Sequence, residues 1–280
     1  MAILSVQSHV ASGHVGNSAA VFSLQRLGHD VWPVNTVQFS NHPGHGAFSG
    51  EAEAPSRVQA ILRGLEEHGC WENCEAVLSG YLGHAVTGQV LSEAVSSIKV
   101  ARPEAIFLCD PVIGDGGEGI YVASDVVDII RRQLVPQADF LFPNTFELGV
   151  LTGRTLNGVD DVVSTAKDLL SSGPKGVIVS SVVDDATDSK IKTFLVMADK
   201  VVNIETPEIP FSAKGAGDFL AALWLGRYLQ SGNEADALEL AVSSLFAMIE
   251  KTGDADGAEL PLVRHQTLIT DPPHRISASR

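Results

Sequence analysis

Cysteine is scarce in this sequence. Three occur in 280 residues, Cys70, Cys74 and Cys109, too few to frame the fold with disulfides. Cys70 and Cys74 stand four apart in "HGCWENCEA", half of a metal-site spacing, but no second Cys/His pair at ligand spacing follows, so a zinc site is not expected. Cys109, inside "AIFLCD", reads as a small apolar core residue. Basic residues are also outnumbered, 19 Lys+Arg against 34 Asp+Glu for a net charge of −15. Such a field repels nucleic acid and anionic membranes, so an anionic substrate needs a locally positive site. No Lys or Arg precedes Arg26, and "MAILSVQSHVASG" therefore lacks the charged start of a secretory signal. No apolar stretch approaches the ~18 residues of a spanning helix, and a cytoplasmic location is expected. Internal repeats, low-complexity tracts, linkers and a G-x-x-x-x-G-K-[ST] phosphate loop are missing too.

What is present suits a large core. Hydrophobic residues make up 45% of the chain, and one domain over 1–280 is expected, with "DPPHRISASR" (271–280) as a loose tail. Short β-branched apolar runs, "AILSV" from 2, "VWPVNTV" from 31, "AVLS" from 76, "AIFLC" from 105, "DFLF" from 139 and "GVIVS" from 176, alternate with segments of helical period. Residues 17 to 27 end at Gly28 as a helix C-cap would; "PSRVQAILRGLEE" carries Val58, Ile61, Leu62 and Leu65 three and four apart; Val90, Leu91, Val95 and Ile98 repeat that pattern. The alternation predicts a three-layer α/β fold, with helices on both faces of a mostly parallel sheet. Two β-rich runs around "ADK", from 192 to 205, read as a hairpin near a sheet edge. Ligands of such sheets bind beyond the strands' carboxyl ends.

"GAGD", 215 to 218, opens a helix whose Leu220, Leu223, Trp224 and Tyr228 share a face. Unpaired N–H groups and the positive dipole end leave such a turn, and glycines let an anion approach the backbone. Gly215, Ala216 and Gly217 therefore suit a phosphate. Asp218 reads either as an ordinary first-turn acid or as a general base for an attacking hydroxyl. "FLCDPVIGDGGEG" ends a strand with Asp110 and adds Asp115 and Glu118, and "FPNTFELGVL" follows another strand with Asn144 and Glu147. Acids at strand ends suit Mg²⁺ held through waters beside phosphates, although each alone also reads as a solvated loop residue. Gly114, Gly116 and Gly119 spell G-x-G-x-x-G, with Asp139 twenty residues on, but Pro111 and a long loop replace the tight turn of a dinucleotide site. His42 and His45 in "FSNHPGHG" read as loop residues near a ligand rather than a metal pair.

"SVQSHVASGHVGNSAA", "NTVQFSNH", "LSGYLG", "CDPVIGD", "PNTFELGVLTG" and "KGAGDFLAAL", in this order, resemble the pyridoxal kinases of the ribokinase-like superfamily over residues 3 to 250. The resemblance implies a homodimeric enzyme that phosphorylates the 5′-hydroxymethyl group of pyridoxal with ATP and Mg²⁺. It assigns Ser8 to the polar edge of the pyridine ring, Tyr81 to its face, and Pro43 and Gly44 to the substrate side. Asp218 becomes the catalytic base, and Gly215, Ala216 and Gly217 the anion hole. Asp110, Asp115, Asn144 and Glu147 fall around the phosphates and their cations, with Asp110, Asp115 and Glu147 as metal positions; Ser180 and Ser181 fall in the ATP site.

Three residues depart from the family pattern. Pro43 and Phe142 stand where threonines are common, near the substrate and near a monovalent cation respectively, which leaves ring specificity and alkali-ion activation open. Ala216 replaces the commoner threonine of the anion hole, where backbone N–H groups do the binding. Lys214 reads equally as an extra positive charge near the phosphates and as a solvated loop residue. A sibling kinase for hydroxymethylpyrimidine or a sugar, and a non-catalytic vitamer binder, are the competing readings.

Overall fold

The apolar runs assemble into one sheet in the computed structural model, which describes residues 1–183, 189–209, 213–252 and 259–279. From the N-terminus the elements are β1 (Ala2–Val10), α1 (Asn17–Arg26), β2 (Asp30–Phe39), β3 (Gly50–Ala52), α2 (Pro55–Glu67), β4 (Cys74–Ser79) and α3 (Ala85–Ala101). There follow β5 (Ile106–Cys109), the short hairpin β6 (Gly114–Asp115) and β7 (Gly119–Ile120), α4 (Ser124–Ile129), β8 (Phe140–Leu141), α5 (Thr145–Thr152) and α6 (Val159–Leu170). The chain then forms β9 (Gly176–Val183), β10 (Lys190–Met197), β11 (Val201–Pro207), α7 (Ala216–Ser231), α8 (Glu234–Thr252) and α9 (Thr267–Thr270).

Among the described residues the main sheet has nine strands in the order β11-β10-β9-β8-β5-β4-β1-β2-β3. The six from β9 to β2 run parallel, while β3 at one edge and β10 and β11 at the other pair antiparallel. The expected hairpin is thus present at a sheet edge. Strand order reverses at β1, whose neighbours are β2 on one side and β4 on the other. Right-handed crossovers then send α1 to one face and α2 and α3 to the opposite one. The packing follows: α1, α7, α8 and α9 bury one apolar cluster, and α2 to α6 bury the other.

Local signals set the helix ends. Pro55 opens α2 at a position where its missing N–H costs nothing, and Gly28, at φ 91°, turns the chain away after α1. Within α2, Val58 and Leu62 are buried as the spacing predicts, whereas Ile61 lies on the helix shoulder, 43% exposed. Every residue from Phe219 to Gly226 of α7 is buried, more than the single face its sequence suggests, because α1 and α8 flank the helix as it packs on the sheet.

Two expectations need correction. The first strand does not stop at "AILSV" but continues to Val10, and its register with β2 slips between Gln7 and Ser8. Such a bulge re-aims the side chains beyond it. The tail is not loose either. Ser279 exchanges both backbone hydrogen bonds with Asn203, Arg275 pairs with Asp236 and Glu239, and the Ile276 N–H donates to Ser243 Oγ; Arg280 lies outside the described residues.

The sheet is locked to α7 by aromatic rings. Phe140 meets Trp224 edge-on with centroids 4.7 Å apart, and Trp224 stacks on Tyr228 at 5.1 Å. The Trp224 indole N–H donates to the Glu234 carbonyl, which satisfies its one polar atom. Trp224→Ala empties this junction and is expected to lower unfolding free energy by about 3–5 kcal/mol in chemical denaturation.

Candidate active site

The carboxyl ends of the parallel strands surround a cavity of about 450 Å³, beside the point where strand order reverses. β1 contributes Ser8 from beyond its bulge, and the segment after β4 contributes Tyr81. Asp110 follows β5, Asp115 lies in the β6–β7 hairpin, Asn144 and Glu147 open α5, and Ser180 and Ser181 lie in β9. Pro43 and Gly44 approach from the turn after β2, and Gly215, Ala216, Gly217 and Asp218 from the start of α7. The cavity therefore gathers every residue that the resemblance assigned to substrate, phosphates or cations, and of the two loop histidines it includes His42 alone.

Backbone geometry explains how Asp218 comes to lie in it. Gly215 caps α7 at φ 81°, and a Cβ there would collide with the carbonyl oxygen of His14. No side chain caps the turn, so its first N–H groups remain open toward an anion, except that Ala216 donates to the Ala213 carbonyl at 3.3 Å. Asp218 Oδ2 accepts the Gly16 N–H at 2.8 Å. Gly16 itself is at φ 53°, pressed so closely on Ser8 that any side chain would strike the Ser8 carbonyl and hydroxyl. One glycine thus couples β1 to the acid. Burial pushes the Asp218 carboxyl up to about 6, with the Gly16 N–H pulling the other way. Although the cavity leaves part of Asp218 open to water, protein crowds its carboxyl closely enough for this shift.

Asn17, next to Gly16, bolts the start of α1 to two strands. Its amide donates to Asn35 Oδ1 at 2.9 Å and to the Val34 carbonyl at 3.3 Å, and its oxygen accepts the Ser5 hydroxyl at 2.7 Å. The sequence reading missed this network. An asparagine at the first position of the helix was the only signal the sequence offered for it.

The remaining acids differ in how occupied they are. Glu147 Oε1 accepts the Ile113 N–H at 2.8 Å and Oε2 the Asn144 N–H at 2.9 Å, while Asn144 Oδ1 accepts the Glu147 N–H in return. This capping box, with Asn144 donating to the Gly114 carbonyl, pins the hairpin to α5. Burial raises the Glu147 carboxyl to about 7 despite those donors. Asp115 Oδ1 accepts the N–H groups of Gly117 and Glu118, which folds the hairpin tip. Asp110 is buried, and its carboxyl is raised well above the usual range, first by burial and then by the charges of Glu147 and Asp218. Among the described residues no three acidic, histidine or cysteine side chains converge into a metal cage.

Further wall residues escaped the sequence reading. Tyr121 lines the cavity just after the glycine-rich hairpin, its hydroxyl pushed up by burial and by Glu147 and Asp110; an aromatic directly following "GGEGI" was the available clue. Ser181 has φ 56°, strained for a residue with a side chain. His42 Nδ1 accepts the Gly44 N–H, and burial together with Lys214 and His45 holds its imidazole below the usual value. His45 does not line the cavity and faces Glu259 at 3.4 Å. Beside the main cavity a second hollow of about 680 Å³ shares Asp115, Asn144 and Ser181.

Comparison with known proteins agrees with this architecture. The profile of the phosphomethylpyrimidine kinase family matches residues 68–261. The pyridoxal kinase PdxY of Leifsonia xyli subsp. xyli is 41% identical over 281 residues, covering 100% of this chain and 99% of its own. That of Rubrobacter xylanophilus is 42% identical over 280 residues, covering 99% and 97%. The structure of pyridoxal kinase from Leishmania donovani in complex with ADP and pyridoxamine superposes with a TM-score of 0.93 at 28% identity, covering 99% of this chain and 98% of that one. With full-length relatives above 40% identity and a shared three-layer architecture, the chain belongs to the pyridoxal kinase family, a family of ribokinase-like fold.

Proposed function

We propose that the chain transfers the terminal phosphoryl group of ATP to the 5′-hydroxymethyl group of pyridoxal, giving pyridoxal 5′-phosphate for vitamin B6 salvage. The observation that carries this reading is the placement of Asp218 on the uncapped first turn of α7, in the same cavity as Ser8 and Tyr81. The ring lies against Tyr81, with Ser8 hydrogen-bonding its polar edge, so that the hydroxymethyl arm faces Asp218. With Oδ2 held by the Gly16 N–H, the other carboxylate oxygen receives the hydroxyl proton. The hydroxyl oxygen bonds to phosphorus, the bond to the ADP oxygen breaks, and charge spreads onto oxygens facing the open N–H groups of Gly215 and Gly217. Ser180, Ser181 and the hollow beyond Asn144 give room for the rest of the nucleotide.

Mg²⁺ fits this donor set, in which Asp110, Asp115 and Glu147 would hold it beside the phosphates rather than in a closed protein cage. Asp110 is a buried carboxylate that two like charges disfavour, which a cation would relieve, and Asp115 and Glu147 lie beside it already committed to backbone donors. Bound there, the ion would neutralise phosphate charge as it develops. The homodimer and the cytoplasmic setting belong to the same proposal; among the described residues no helix is long and apolar enough to cross a membrane.

The phosphomethylpyrimidine kinase profile favours a second reading, in which hydroxymethylpyrimidine is the acceptor. An ATP-consumption assay across pyridoxal, pyridoxine, pyridoxamine, hydroxymethylpyrimidine and ribose separates them. Pyridoxal is expected to turn over, with Ser8→Ala and Tyr81→Ala each raising its KM a few-fold to about tenfold and leaving ATP affinity unchanged. Turnover of hydroxymethylpyrimidine alone would transfer the assignment to the sibling, and no turnover with any acceptor would leave a binder.

The base is tested by pH and by substitution. Asp218 must be ionised to act, so kcat/KM should rise with pH through a midpoint at about 6. Because its folded value lies above the ordinary one, the folded chain holds that proton more tightly than the unfolded chain. Ionisation above that midpoint therefore destabilises the fold, and the penalty vanishes below the ordinary carboxylate range. Asp218→Asn is expected to cut turnover by roughly 10²–10⁴-fold. It should also raise stability at pH 7.5 by on the order of 1–2 kcal/mol, because the ionisation penalty is then absent.

Metal dependence has its own readout. Activity should vanish in EDTA and return with Mg²⁺, while Asp110→Asn should raise the Mg²⁺ concentration needed for half-maximal rate. Full activity in metal-free buffer would remove the ion from the proposal.

A further inference from the structure

Among the described residues Lys214 is the only lysine or arginine lining the cavity, in a chain of net charge −15. The same wall carries Asp110, Asp115, Glu118, Glu147 and Asp218. Lys214 Nζ lies 2.8 Å from Glu118 Oε1, an ion pair that joins the residue before the α7 cap to the β6–β7 hairpin. Its stem runs close to the turn after β2, since a Cβ on Gly44 would lie 3.3 Å from Lys214 Cε. The ammonium is therefore placed where three segments of the cavity mouth meet. His42 adjoins it but stays neutral at pH 7, because burial and the lysine charge both disfavour its protonation.

Stability does not account for this pair. Glu118 is 53% and Lys214 26% exposed at the side chain, and ion pairs so open to water contribute little to folding. A polyphosphate, in contrast, presents several anionic oxygens and is a stronger acceptor than one solvated carboxylate. Lys214 directly precedes the N–H groups assigned above to the phosphoryl group, and a small movement of its flexible stem would transfer its charge there.

The geometry points to an exchange, in which Lys214 leaves Glu118 for the phosphoryl group under transfer, making Lys214 a phosphate-binding residue of the reaction and Glu118 its competing counter-ion. This inference rests on the kinase reading above. It also gives a cavity rich in acids a side-chain cation for ATP.

ATP binding by calorimetry and pyridoxal turnover, measured on the parent enzyme, Lys214→Met, Glu118→Gln and the double variant, test it. Lys214→Met should lower kcat roughly 10²-fold with the KM for pyridoxal nearly unchanged. Glu118→Gln should tighten ATP binding by about 2–5-fold, since it removes the competitor. The double variant should match Lys214→Met alone, because a competitor matters only while the lysine is present. Equal losses in both single variants would make the pair a structural strut, and unchanged ATP affinity in Glu118→Gln would overturn the exchange. That second arm alters a half-exposed side chain and decides the question even where Lys214→Met folds poorly. If the parent enzyme leaves pyridoxal untouched while the ATP-affinity pattern holds, the substrate assignment fails and the role of Lys214 stands.

Discussion

The hydrogen bond from the Gly16 N–H to Asp218 joins residues 202 apart in sequence, and the site depends on it. It requires β1 to end against the first turn of α7, with α1 starting between them at an angle that only a left-handed residue allows. The buried amide of Asn17 fixes that angle by bonding to Ser5 on β1 and to Val34 and Asn35 on β2. The aromatic contacts of Phe140, Trp224 and Tyr228 hold the body of α7 on the sheet so that its first turn cannot drift. Reversal of strand order at β1 leaves the space into which this junction opens. Packing, register and backbone conformation thus converge on the position of one carboxylate.

Electrostatically the cavity is poised against itself. Burial raises the carboxyls of Asp110, Glu147 and Asp218 together, and at Asp110 the charges of the other two add to it. The same strain has a use. A carboxylate that is costly to ionise is a better proton acceptor near neutral pH, and one that lacks a counter-ion draws in a cation. The overall charge of −15 sharpens the demand for positive groups at the phosphates. The open backbone N–H groups at the start of α7 and the Lys214 ammonium are the positive groups that the cavity wall itself presents.

Much of this was legible in the sequence, and what was not has physical causes. The parallel sheet follows from apolar runs between amphipathic periods, and the "ADK" hairpin from its two β-rich flanks, since both signals are local. Of the cavity wall, strand-end acids and a glycine-rich helix start hinted at their own chemistry with other readings open, whereas Ser8, Tyr81, Ser180 and Ser181 were legible only through the family resemblance. The extension of β1 past Val6 was hidden because polar "QSH" gives no strand pattern, and pairing with β2, which is distant in sequence, holds it straight. The docking of the C-terminal segment was hidden for a similar reason: proline and charge suggest a coil, whereas Arg275, Ile276 and Ser279 find partners far away in sequence. Glu147 shows a third kind of limit. Its residue type fits a metal ligand and a helix cap equally, and the backbone donors around it make it at least the latter.

The departures from the family pattern bear on specificity through this geometry. Pro43 opens a short turn whose Gly44 N–H is already taken by His42, so this wall of the cavity offers the ring shape more than hydrogen bonds. In the proposed function recognition then falls on Ser8 and Tyr81. Ser8 is fixed by a bulge and by Gly16 behind it, and Tyr81 has its carbonyl held by the Thr36 hydroxyl. A hydroxyl and an aromatic face of this kind read the shape and one polar edge of a flat heterocycle, but they do not sense the substituent at its far side. On that proposal, discrimination among ring substrates comes from how far the hydroxymethyl arm reaches toward Asp218. That distance is set by β1 and α7, the two elements that the Gly16 hydrogen bond ties together.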